Sequence, residues 1–64
     1  MNSLPEIGER IVVYGMSQEA KVTSVCWDAT SFDWIINLDW GFHGQSKVKL
    51  HDENKTWYRF SKVN

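Results

Sequence analysis

The sequence predicts an all-β domain in which five short antiparallel strands curl into a small barrel, and three observations lead there. Phe32, Trp34, Ile36, Leu38 and Trp40 alternate with Asp33, Ile35, Asn37 and Asp39 over nine residues. A strand places the first set on one face, whereas a helix would scatter it around its circumference. Turn-forming residues recur at short intervals along the chain, and no stretch carries a helical period. At 64 residues the chain is also too short for a two-sheet sandwich.

Taken in order, Arg10-Ile11-Val12-Val13-Tyr14 is the first strand, opened by Gly8, closed by Gly15 and followed by the polar loop Met16-Ser17-Gln18-Glu19. Its inward residues are Ile11 and Val13. Ala20 to Trp27 is rich in β-branched residues but alternates imperfectly, and a bulge near Thr23-Ser24 puts Val22, Val25 and Trp27 on one face. Asp28-Ala29-Thr30-Ser31 turns the chain into the central strand, Phe32 to Trp40, with all five apolar residues inward. Gly41-Phe42-His43-Gly44 then leads to Ser46 to His51, with Val48 and Leu50 inward and Lys47, Lys49 and His51 outward. A polar turn, Asp52-Glu53-Asn54-Lys55, precedes the last strand, Thr56 to Phe60, and Ser61 to Asn64 reads as a frayed tail. The whole is one domain, residues 1–64, with an ordered core at about 7–60.

Composition narrows the function classes. A domain this short buries roughly 60% of the surface its unfolded chain exposes, so its stability margin is thin. Cys26 is the single cysteine, which excludes an internal disulfide and favours the cytoplasm. The start Met1-Asn2-Ser3-Leu4-Pro5-Glu6 lacks the pattern of a secretory signal, and no segment is long enough to span a membrane. A formal net charge of −1 supplies no global field toward nucleic acid or anionic lipid. Four Trp, two Tyr and three Phe exceed what so small a core needs, which places some aromatics at a surface or an interface.

The run Gly8-Glu9-Arg10-Ile11-Val12-Val13 and the following Ala20-Lys21-Val22 resemble the SH3-like barrels, in particular their Tudor and KOW-like branch. The likeness covers about residues 7 to 60 as a strand pattern, and it implies a small five-stranded antiparallel SH3-like barrel. It also implies an aromatic cage near the first loop and the third-to-fourth strand loop, where Tyr14, Trp40 and Phe42 stand with Asp39 beside them. Such a cage holds a cation against aromatic faces. A more distant resemblance is to the plasmid-borne SH3-like dihydrofolate reductases. Their Val-Gln-Ile-Tyr pore motif is replaced here by Val48-Lys49-Leu50-His51, so their activity is not carried over.

Among specific chemistries, Cys26, His43 and His51 lack the spacing of metal ligands, and no metal or other cofactor is expected. No oxyanion hole or phosphate loop is legible, and acids beside turns serve turn geometry, so an enzyme is not expected. The leading expectation is a non-enzymatic module that recognises a protein or peptide through Tyr14, Asp39, Trp40 and Phe42. A first alternative is a nucleic-acid face made of Lys47, Lys49, Lys55 and Arg59 with Trp57 or Tyr58 as a stacking platform. A second is a homo-oligomer joined through Val12, Trp27, Ile35 and Trp57.

Overall fold

The computed structural model describes residues 3–60, which form a single antiparallel sheet of five strands. β1 spans Arg10–Val13, β2 Ala20–Asp28, β3 Asp33–Asp39, β4 Gln45–Lys49 and β5 Trp57–Arg59. One-turn 3-10 helices occupy Gly41–His43, between β3 and β4, and Leu50–Asp52, after β4. The strands lie in the order β4-β3-β2-β1-β5, so the first and last strands are neighbours. The expected tail, Ser61 to Asn64, lies outside the described residues. At the other end Pro5 is buried, so the packed chain begins ahead of residue 7.

The ladder steps out of register between Val22 and Ser24, at the expected bulge. One extra residue there bends β2 and sharpens its twist. The bend lets β2 pair with β1 at Ala20 and Lys21 and with β3 from Lys21 to Asp28. Between β3 and β4, Gly41 and Gly44 adopt φ of 70° and 93°, a backbone region that side chains disfavour, so the connection depends on both glycines.

Ile11, Ala20, Val22, Ile36, Leu38, Trp40 and Trp57 are buried together, with Val13, Val25, Val48 and Leu50 packed against them. Each large side chain withdrawn from water contributes about 1.5–3 kcal/mol. The inward row of β3 is shorter than its alternation predicts. Phe32 stands outside the strand, in the turn before Asp33, and is 81% exposed.

β5 departs further from expectation. Trp57 and Arg59 share strand parity and both point inward, opposite Val13 and Ile11 of β1, while Tyr58 and Phe60 take the outer positions. Trp57 is completely buried, so it serves neither as a stacking platform nor as a subunit contact. Arg59 is buried because acids meet it at the end of the core. Its Nε donates to Glu53 Oε2 at 2.9 Å, and Glu9 lies 3.9 Å from its Nη1. Its Nη2 donates to the carbonyl of Ser3.

The main-chain ladder is not closed, since β4 and β5 remain its two edges. A side chain joins them: Trp57 Nε1 donates to the carbonyl oxygen of Lys49 at 2.7 Å. Phe at position 57 would keep most of the apolar bulk and lose this bond. Trp57→Phe is therefore expected to lower unfolding free energy by about 1–2 kcal/mol. Urea denaturation checks this, and an unchanged midpoint would contradict the bridging role.

Candidate binding surface

Where β2 turns into β3, the exposed rings of Trp27 and Phe32 meet the half-buried Trp34. Trp27 and Trp34 are direct cross-strand partners, their rings meeting edge to face at 5.4 Å. Phe32 packs edge-on against Trp27 at 5.3 Å. Such pairs add about 0.5–1.5 kcal/mol each beyond the area they bury. Trp27 nevertheless remains 46% exposed, and the core stops short of the cluster.

Two carboxylates build the turn that presents Phe32. Asp28 accepts hydrogen bonds from the Thr30 N–H at 3.2 Å and the Ser31 hydroxyl at 2.8 Å, which ends β2 and reverses the chain. Asp33 accepts from the Trp34 N–H at 2.7 Å and from the His51 N–H at 3.3 Å, tying the turn to the 3-10 helix after β4. Between the two acids Phe32 takes φ of 58°, in the left-handed region. A bulky residue there stores about 1–3 kcal/mol of strain. Beside it runs an open groove of about 420 Å³ that Phe32, Asp33, Lys49, His51 and Asp52 help to line.

The expected cage is assembled differently. Trp40 is only 7% exposed, and its Nε1 donates to Ser46 Oγ at 2.7 Å. Its carbonyl accepts from Gln18 Nε2 at 3.1 Å, fastening the first loop to the β3–β4 corner. Tyr14 is exposed but packs against Tyr58 at 5.2 Å. Phe42 stands fully in solvent on its 3-10 helix, and Asp39 accepts from the Gly41 N–H at 3.3 Å. One wall of the cage thus belongs to the core, and a second leans on β5.

The basic face is also thinned. Lys47, Lys49 and Lys55 are exposed, but Arg59 and Trp57 are withdrawn. Cys26 is an exposed free thiol, and among the described residues no three His, Cys, Asp or Glu side chains converge on one point. No helix in the described residues is long and apolar enough to cross a membrane. Scans against protein-family models, curated proteins and solved structures found no match.

Sequence reasoning missed the Trp27–Phe32–Trp34 cluster because Phe32 fits the alternating row of β3 by parity alone. The available signal was its place directly after the Asp28 to Ser31 turn.

The same turn sets a pH dependence. The Ser31 hydroxyl, and after it the Thr30 N–H, hold the Asp28 carboxyl below its ordinary pKa of 3.8. A depressed folded-state pKa gives stability that is present above the unfolded value and lost as pH falls through the folded one. An NMR titration of Asp28 should have its midpoint below 3.8, and Ser31→Ala should raise it. A midpoint indifferent to Ser31 would contradict this account of the turn.

Proposed function

We propose that this chain is a non-enzymatic binding module, an SH3-like barrel of the Tudor and KOW type, that recognises a protein or peptide through Trp27, Phe32 and Trp34. The five-strand antiparallel order supports the fold reading, as does the way Gly8 to Val13 forms the entry to β1 and the strand itself. The exposed thiol of Cys26 suits a reducing compartment such as the cytoplasm.

One observation carries the binding reading. Phe32 is at once strained, with φ of 58°, and 81% exposed, a combination that folding alone disfavours on both counts. Left-handed backbone is adopted more readily by Asn or Gly, and an apolar ring in water gains nothing from burial. Backbone strain of this kind persists where a site depends on it. Aromatic anchors beside a groove are also the side chains that dominate binding energy at interfaces.

Phe32→Asn separates function from stability. Asn accepts the left-handed backbone, so the melting temperature should stay level or rise. Peptides selected from a random display library on the unaltered protein should lose at least about tenfold in affinity for this variant, roughly 1.4 kcal/mol or more. They should still bind Phe42→Ser, whose altered side chain sits at the other end of β3. Undiminished binding by Phe32→Asn would sink the proposal.

A further inference from the structure

A second groove, of about 390 Å³, crosses β2, β3 and β4 beside the bulge, and its polar groups are arranged differently from those near Phe32. Ser24, Asn37, Gln45, Ser46 and Lys47 help to line it, and the lining contains no Asp or Glu. Ser24, Asn37 and Lys47 stand in one cross-strand row, since Asn37 is the ladder partner of both others. Successive strands are about 4.8 Å apart, so the Lys47 stem can bring its ammonium over Asn37.

The local hydrogen bonds determine what these groups still offer. Asn37 Nδ2 donates to Ser24 Oγ at 3.0 Å, and Trp40 Nε1 donates to Ser46 Oγ at 2.7 Å. Each serine oxygen is thereby engaged as an acceptor; Ser46, the ladder partner of buried Leu38, faces the core with Trp40, whereas Ser24 keeps its hydroxyl proton available on the outer face. Thr23 Oγ1 donates to the carbonyl of Asn37 at 3.3 Å, which engages that main-chain acceptor. The Ser24 hydroxyl, the second N–H of the Asn37 carboxamide and the Lys47 ammonium thus remain as donors in one row, along a groove whose lining carries a formal charge of +1 and no acid. Asp39, the adjacent outward acid on β3, lies opposite Lys21 and Gln45 in the ladder and accepts from Gly41.

We propose that this groove binds a tetrahedral oxyanion of the phosphate class, held by Lys47, the Ser24 hydroxyl and the Asn37 carboxamide. An anion with several acceptor oxygens is complementary to clustered donors, and a charged partner makes the stronger hydrogen bonds. The groove beside Phe32 is the internal contrast. Lys49 shares that lining with Asp33 and Asp52, whose charges oppose an anion.

The test is a titration of the full chain with inorganic phosphate, followed by 15N–1H spectra at constant ionic strength made up with chloride, because screening alone moves exposed charges. Saturable shifts are expected at the amides of Ser24, Asn37 and Lys47. Lys47→Gln should weaken binding about tenfold, whereas Lys49→Gln should leave it unchanged. Both are exposed substitutions, and an otherwise superimposable spectrum reports that the fold is kept. O-phosphoserine serves as a parallel probe: tighter binding than phosphate indicates an anion carried on an organic group, and equal binding indicates the free ion. Shifts that fail to saturate, or that weaken equally in both lysine variants, would overturn the proposal.

Discussion

The fold depends on the indole of Trp57. β4 and β5 are both sheet edges, and an open five-stranded sheet of this size would leave one end of its apolar face in water. Trp57 is completely buried and bonds to the Lys49 carbonyl, so one side chain both fills the gap and links the two edges. Two residues on, Arg59 performs the equivalent task with charge. Its guanidinium draws Glu53, Glu9 and the Ser3 carbonyl together, bringing the amino-terminal segment over the end of the core. Removing one partner of a buried pair is far more damaging than replacing both, so the pair fixes the placement of β5 more than it adds stability. Glu53 Oε1, buried without a hydrogen-bond partner among the described residues, reflects the same tension between placement and solvation.

That arrangement separates two buried tryptophans from five exposed aromatic residues, with Trp34 and Tyr58 half-buried between them. Among the described residues, Trp40 and Trp57 belong to the buried apolar core, and each has its N–H bonded to an oxygen nearby, Ser46 Oγ and the Lys49 carbonyl. Tyr14, Trp27, Phe32, Phe42 and Phe60 stay at the surface, outside the buried core. The Asp28 and Asp33 turn goes further and holds Phe32 in a strained conformation next to Trp27. This strained, exposed phenyl ring is the observation on which the proposed contact surface rests.

Much of the strand pattern was legible because period-two alternation reports burial on one face. The β3 row from Trp34 to Trp40, the bulge at Thr23 and the glycine-bounded connection to β4 all follow from local sequence. Phe32 was not legible in the same way, since parity holds only within the ladder and the Asp28 side chain ends that ladder just before it. Arg59 misled for a related reason. A lone charge in a strand reads as outward, and its buried acid, Glu53, is recruited by a turn that parity does not describe. With Arg59 read as outward, Trp57 and Tyr58 both stood as candidate stacking partners beside it. The candidate site was legible only in kind: surplus aromatics implied a surface, but which of them were surplus depended on how the sheet edges meet.

The most direct test of this division is hydrogen exchange at the four indole N–H groups, followed by NMR in D2O. The account predicts that the Trp57 and Trp40 indole protons exchange only through global unfolding, while that of the half-exposed Trp27 exchanges many times faster. A rapidly exchanging Trp57 would mean that the β4 and β5 edges are not held together by its indole, and the separation of structural from surface aromatics would fall with it.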